Sequence, residues 1–101
     1  MDRNDPNARV KEKIYKELHV TFQTSEQQIR EMEDMRAELQ EKYDLFDKCI
    51  AEYLLKSGCD VVKEHLEETR AQIEKCERDL ARLKLERDAY KIELEMFKSI
   101  Y

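Results

Sequence analysis

The sequence predicts an all-α protein, a long antiparallel two-helix coiled-coil hairpin that forms part of a larger helical bundle. Two runs without glycine or proline, 7–57 and 59–101, flank the single glycine of the chain, Gly58. Glycine and proline are the usual residues of turns, so this pattern predicts two long helices and one reversal. Charged residues make up 43% of the chain and aromatic residues 8%, a composition typical of coiled coils and long helices.

The first helix is predicted over residues 6–57, after a short disordered N-terminus of residues 1–5. Asp5 is suited to the N-cap, and Pro6 to the first helical position, where its missing N–H does no harm. With Leu18 at heptad position a, the a and d positions are Ile14, Leu18, Thr21, Ser25, Gln28, Met32, Met35, Leu39, Lys42, Phe46, Cys49 and Tyr53. Position e adds Tyr15, Phe22, Ile29, Tyr43 and Ile50. A face of this width is typical of a helix that packs into a bundle.

One segment of the first helix offers an alternative. Residues 20–25 are β-branched and rich in hydroxyl groups, and Thr24 with Gln27 resembles a capping box. A break there would give a three-helix arrangement. The continuous helix is favoured because the apolar stripe keeps its phase through this segment.

The second helix is predicted over residues 61–101, after a turn at residues 58–60. Gly58 suits the C′ position of the first helix, and Asp60 suits the N-cap of the second. The a and d positions of this helix are Val62, Leu66, Thr69, Ile73, Cys76, Leu80, Leu83, Arg87, Tyr90, Leu94, Phe97 and Tyr101. Only Thr69 and Arg87 interrupt the apolar seam, and such sustained 4–3 spacing predicts a left-handed supercoil.

Folding the chain at Gly58 predicts the register of the two helices. A short turn forces antiparallel neighbours, so residue i pairs with about residue 117 − i. This register places Phe46 near Ala71 and Ile73, and Leu39 near Leu80. The coiled-coil seam is therefore predicted to contain Leu18, Phe22, Met32, Leu39, Phe46, Leu66, Ile73, Leu80, Leu83, Tyr90, Leu94 and Phe97.

A second apolar stripe lies on the second helix, opposite the seam. Its members, Leu85, Ala89, Ile92 and Met96, stand at i, i+4, i+7 and i+11, and Ile100 extends the apolar tip. Contiguous exposed apolar surface usually marks an interaction site, and a two-helix hairpin has a thin core that oligomerisation can complete. We therefore predict a partner interface at these five residues. The occupant is a second copy, another helical chain or the N-terminal segment folded back.

Composition excludes several kinds of partner. The net charge is −5, from 24 acidic and 19 basic residues with interspersed signs, so neither nucleic acid nor a membrane surface is expected as a partner. No apolar run approaches the length of a membrane span, and the N-terminus lacks the apolar region of a signal peptide. The three cysteines do not form a disulfide framework. These features favour a cytoplasmic protein, with the nucleus as the alternative.

The sequence contains no pattern for catalysis, cofactor binding or metal binding. The two histidines stand on different helices, and the sequence has no Cys-x-x-Cys, His-x-x-x-His or Glu-x-x-His spacing of a metal site. A single glycine cannot form a phosphate-binding loop, and carboxylates on a charged helix lack the desolvated pocket that shifts a pKa. We expect no enzyme. Met32 and Met35 could form an adaptable binding spot, but methionine at heptad positions is more often core.

The segments Met35-Arg36-Ala37-Glu38 and Lys42-Tyr43-Asp44-Leu45 are similar to a stretch of tubulin-binding cofactor A. That family consists of small acidic three-helix proteins that hold β-tubulin. The family has a turn before the Tyr-Asp pair, whereas the helix is predicted to continue here, and no site residue is carried over. The resemblance implies an alternative function as a small helical binding chaperone. The function predicted from the residues is a non-enzymatic structural or adaptor subunit, a scaffold protein of a cytoskeletal or similar assembly.

Overall fold

The computed structural model describes residues 7–53 and 59–100. It contains two helices, α1 (Ala8–Tyr53) and α2 (Cys59–Ile100), which pack against each other as a helical hairpin. The described residues contain no β-strand. The predicted all-α hairpin is therefore confirmed.

The start of α1 is capped by Asn7. The Lys11 N–H donates to the Asn7 carbonyl at 2.9 Å, and a carbonyl that accepts the first intrahelical bond belongs to the N-cap residue. The predicted cap at Asp5 and Pro6, and the disordered segment 1–5, lie outside the described residues. α1 is continuous through residues 20–25, where the Thr21 hydroxyl donates to the Glu17 carbonyl at 2.9 Å. This hydroxyl bonds within its own helix, and the three-helix alternative is wrong.

The start of α2 lies at Cys59, so Asp60 belongs to the first helical turn and not to the predicted turn at 58–60. Asp60 near the start of α2 and Lys98 in its last turn both have the sign that the helix dipole favours. Gly58 and residues 54–57 lie outside the described residues.

Contacts divide the chain into two compact units. Unit 1 consists of Met1–Ile29 and Arg82–Tyr101, and unit 2 consists of Arg30–Ala81. Each unit thus combines a segment of α1 with a segment of α2.

The register within unit 2 differs from the predicted one. Arg36 bonds to Glu77 and Tyr43 to Arg70, two pairs whose residue numbers each add to 113 instead of 117. The shift is about one helical turn. The prediction centred the reversal on Gly58, whereas α1 ends at Tyr53 and α2 begins at Cys59, which moves the midpoint towards the N-terminus.

The predicted placement of Phe46 in unit 2 changes with this register. Phe46 stacks on His65, with ring centroids 5.5 Å apart, and the predicted placement of Phe46 near Ala71 and Ile73 is wrong. In unit 1, the Lys98 ammonium lies 5.7 Å from the centroid of the Tyr15 ring. The numbers of this pair also add to 113, so unit 1 has the same register.

The buried face of α1 differs in phase from the predicted a and d positions. Its buried and half-buried residues at 3–4 spacing are Tyr15, Leu18, Phe22, Ser25, Ile29, Met32, Arg36, Leu39, Tyr43, Phe46 and Ile50. Of the predicted d positions, Ile14, Thr21, Gln28, Met35 and Lys42 are exposed, whereas Cys49 is half-buried. Position e replaces position d because Tyr15, Phe22, Ile29, Tyr43 and Ile50 offer more apolar area to bury than the residues at d.

Burial along α2 follows the 4–3 spacing of its sequence. Thr69, Ile73, Cys76, Leu80, Leu83 and Leu94 are buried, and Val62, Leu66, Arg87, Tyr90 and Phe97 are half-buried. Thr69 is 1% exposed, and its hydroxyl donates to the His65 carbonyl at 2.7 Å. This polar residue therefore fits the seam because its own helix satisfies its hydroxyl group.

Candidate interaction surfaces

The predicted partner interface is an exposed stripe on the α2 segment of unit 1. Leu85 is 73% exposed, Ile92 56%, Met96 57% and Ile100 66%, and Ala89 is also exposed. We call these five residues the outer stripe. The same segment buries Leu83 and Leu94 in the seam. This part of α2 is therefore apolar on two faces, and α1 covers one of them.

The seam predicted from the sequence is buried or half-buried in each unit. In unit 1, Leu83 and Leu94 are buried, and Leu18, Phe22, Tyr90 and Phe97 are half-buried. In unit 2, Ile73 and Leu80 are buried, and Met32, Leu39, Phe46 and Leu66 are half-buried.

A groove with two methionines lies on unit 2. It encloses about 380 Å³ and is lined by Met32, Met35, Leu39, Gln72, Lys75, Cys76 and Asp79. Met35 is 51% exposed, so its preferred interpretation as a core residue is wrong, whereas Met32 is half-buried. The lining of the groove combines apolar side chains, among them both methionines, with the charged side chains of Lys75 and Asp79.

A second, more polar groove lies on unit 2 around Tyr43 and Arg70. It encloses about 420 Å³ and is lined by Gln40, Tyr43, Arg70, Ile73, Glu74 and Glu77. The Arg70 guanidinium donates to the Tyr43 hydroxyl at 2.7 Å, and its centre lies 5.6 Å from the Tyr43 ring centroid. The hydrogen bond to Tyr43 raises the pKa of Arg70. Arginine is charged at neutral pH in any case, so the contact fixes a side chain and creates no acid or base.

The two histidines each lie beside another side chain, and two cysteines are free thiols. His19 stacks on Tyr15 at 6.0 Å between ring centroids, and the His65 Nδ1 lies 3.8 Å from a Glu68 oxygen. Cys76 is buried and Cys49 is half-buried, both as free thiols. Among residues 7–53 and 59–100, no group of three or more metal-ligand side chains could hold an ion.

The structure adds Ile29 and Arg36 to the residues predicted for the seam from the sequence. Ile29 is 4% exposed and Arg36 donates across to Glu77. The width of the apolar face pointed to Ile29 and Tyr43, which stand at position e. No signal in the sequence pointed to Arg36, since arginine is ordinary on a helix surface. Within the described part of the chain, no helix is long and apolar enough to cross a membrane.

α1 continues without a turn through Lys42-Tyr43-Asp44-Leu45, the segment that resembles tubulin-binding cofactor A. The chain therefore lacks the turn that this family has before the Tyr-Asp pair. Comparisons with protein families, curated proteins and solved structures found no match to the chain.

Proposed function

We propose that this chain is a non-enzymatic structural or adaptor subunit, which joins a larger assembly by packing its outer stripe against another helix. The observation that supports the proposal is the exposure of the outer stripe: its four larger side chains are 56–73% exposed. Fully burying an aliphatic side chain of this size contributes roughly 1.5–3 kcal/mol. A partner helix on this stripe would therefore contribute several kilocalories per mole to an assembly.

The proposal includes the setting expected from the sequence. The protein acts as a scaffold in a cytoplasmic assembly, such as a cytoskeletal one, with the nucleus as the alternative compartment. Two free thiols, the half-buried Cys49 and the buried Cys76, are compatible with a reducing compartment.

The test uses two double variants that differ only in their position. Leu85→Glu with Ile92→Lys changes the outer stripe, whereas Leu45→Glu with Val61→Lys changes exposed apolar residues of unit 2. The two pairs are matched, because Leu45 is 67% and Val61 59% exposed, against 73% for Leu85 and 56% for Ile92. Each pair adds one negative and one positive charge, so the net charge stays the same.

Both variants should keep the helical circular dichroism of the parent chain, because all four positions are exposed. Only the outer-stripe variant should fail to assemble. Two measurements show this: the molar mass of the pure protein in solution, and the molar mass of the complex that is purified with it at native expression levels. An outer-stripe variant that assembles like the parent chain would contradict the proposal.

The methionine groove of unit 2 supports a second candidate, a small helical binding chaperone. Methionine adapts its shape to different apolar groups, and the exposed Met35 lies beside Leu39 in this groove. Met35→Lys should weaken the binding of a folded client in this groove, whereas the outer-stripe variant should leave that binding unchanged. Binding of a soluble monomer to a globular client, measured with both variants, distinguishes the two functions.

A further inference from the structure

The charges that border the outer stripe identify the kind of partner that it fits. We infer that its occupant is a helix of a different chain, with an apolar stripe bordered by lysine or arginine. This inference rests on the proposed function, because it concerns the same surface.

The argument begins with the residues that neighbour the outer stripe on the helix. Side chains three or four residues apart lie side by side on a helix surface. Asp88 stands three residues after Leu85 and four before Ile92, and Glu95 stands three after Ile92. These two carboxylates therefore border one side of the outer stripe.

The other side of the outer stripe is also acidic. Glu86 stands three residues before Ala89, and Glu93 stands four after Ala89 and three before Met96. Asp88, Glu95, Glu86 and Glu93 are all exposed. The outer stripe thus has carboxylates along both of its long edges.

One basic residue of this segment, Arg82, stands three residues before Leu85 and borders the N-terminal end of the outer stripe, whereas the others lie elsewhere on α2. Arg87, Lys91 and Lys98 are not three or four residues from any member of the outer stripe. Lys98 lies over the Tyr15 ring instead, 5.7 Å from its centroid. Arg87 donates to Asp88 at 3.1 Å, which balances one of the four carboxylates. Beyond the end that Arg82 borders, Glu86, Glu93 and Glu95 are therefore the charges that a partner would meet.

A second copy of the chain fits this surface poorly. If two outer stripes packed face to face, each edge would meet an edge of the other copy. Both edges are acidic, so a parallel and an antiparallel arrangement alike would oppose carboxylates. Like charges across a helix interface favour a different partner. A helix with basic edges turns the same three carboxylates into attractive contacts.

The experiment uses the full chain and two synthetic probes. Each probe is an amphipathic helical peptide of about 20 residues, roughly 30 Å of helix. Both carry the same leucine, alanine and isoleucine stripe, bordered by lysine in one probe and by glutamate in the other. Binding is measured by fluorescence anisotropy at low and at high salt, and the molar mass of the protein alone is measured in parallel.

The lysine-bordered probe should bind at least about tenfold more tightly than the glutamate-bordered probe, a difference of about 1.4 kcal/mol. High salt should reduce this preference. The preference for the lysine-bordered probe should also fall in a triple variant with Glu86→Gln, Glu93→Gln and Glu95→Gln. The control variant, Glu33→Gln with Glu38→Gln and Glu41→Gln, changes the net charge equally at exposed positions of unit 2 and should keep it.

The remaining outcomes separate this inference from the proposed function. Equal binding of the two probes, abolished by Leu85→Glu with Ile92→Lys, overturns the basic partner and leaves the proposed function standing. Self-association through the outer stripe without probe binding also overturns the inference, because a second copy is then the occupant. If neither probe binds and the outer stripe mediates no assembly, both the inference and the proposed function are overturned.

Discussion

The two units of the hairpin differ in where they place polar and apolar groups. In unit 2, polar side chains reach from one helix to the other: the Arg36 guanidinium donates to Glu77 at 2.7 Å, and Arg70 donates to the Tyr43 hydroxyl at 2.7 Å. Phe46 stacks on His65 between the same helices. Each contact forms only when its residue on α1 lies opposite its partner on α2. Together these contacts fix the register of unit 2.

Unit 1 differs in burying polar atoms that have no partner. Ser25 is 4% exposed, and neither its hydroxyl nor the His19 Nδ1 has a hydrogen-bond partner among the described residues. At the same time the outer stripe exposes four large apolar side chains. Unit 1 thus combines two buried polar atoms that lack a partner with the exposed outer stripe.

This difference supports a division of roles between the units. A buried polar group without a partner costs free energy, and an exposed apolar stripe forgoes the gain from burial. We therefore expect unit 2 to be the more stable unit on its own and unit 1 to gain more from a partner.

The largest effect is expected from shortening one buried leucine in each unit. Leu80 in unit 2 and Leu94 in unit 1 are both 7% exposed. Leu80→Ala and Leu94→Ala should each lower the free energy of unfolding by about 2–3 kcal/mol, because each leaves a cavity in the seam. Urea unfolding followed by circular dichroism measures the loss.

Hydrogen exchange on the same two variants tests the division itself. Leu94→Ala should speed amide exchange mainly in unit 1 and Leu80→Ala mainly in unit 2, since proteins open in cooperative local units. Equal loss of protection along the whole chain in both variants would contradict separate units.

Smaller changes in the free energy of unfolding are expected from removing the two buried hydroxyl groups, and these two changes should have opposite signs. Thr69→Ala in unit 2 should lower the free energy of unfolding by about 1 kcal/mol, because it removes a buried methyl group and a satisfied hydroxyl. Ser25→Ala in unit 1 should raise it by about 0.5–1 kcal/mol, because it removes a hydroxyl without a partner and adds helix propensity. Thermal or urea unfolding of both variants measures the two signs. Destabilisation by Ser25→Ala equal to that by Thr69→Ala would show that the two units treat polar groups alike.

The smallest effect is expected from the ion pair across unit 2. The side chains of Arg36 and Glu77 are 40% and 50% exposed, so water and salt screen their attraction. A double-mutant cycle with Arg36→Met and Glu77→Gln should give a coupling of about 0.5 kcal/mol that falls as salt rises.

The matched pair in unit 1 is Lys16 with Glu12, which lie on one helix at 3.2 Å and are 72% and 67% exposed. The same cycle there should give a smaller coupling, about 0.3 kcal/mol. A larger coupling in unit 1 would argue against the role of Arg36 and Glu77 in fixing the register.

Most of the fold was predictable because its signals are local. The lack of glycine and proline within each run and the 4–3 spacing from Val62 to Phe97 suffice to predict two long helices. The outer stripe was predictable for the same reason, since Leu85, Ala89 and Ile92 share one face of any helix that contains them.

The phase of α1 was not predictable in this way. Ile14 and Met35 at position d compete with Phe22 and Ile29 at position e, and each set contains both apolar and polar residues. Only α2, when it packs against α1, decides which set is buried. The side with more apolar area to bury prevails.

The amino-acid sequence by itself determined that the chain forms two helices, that they reverse once, and that α2 is apolar on a second face. The tertiary structure alone decided which face of α1 meets α2 and that Arg36 lies opposite Glu77. The physical reason is the range of the interactions. Helix formation and side-chain periodicity depend on residues a few positions apart, whereas phase and register depend on contacts between residues as distant in the sequence as Tyr15 and Lys98.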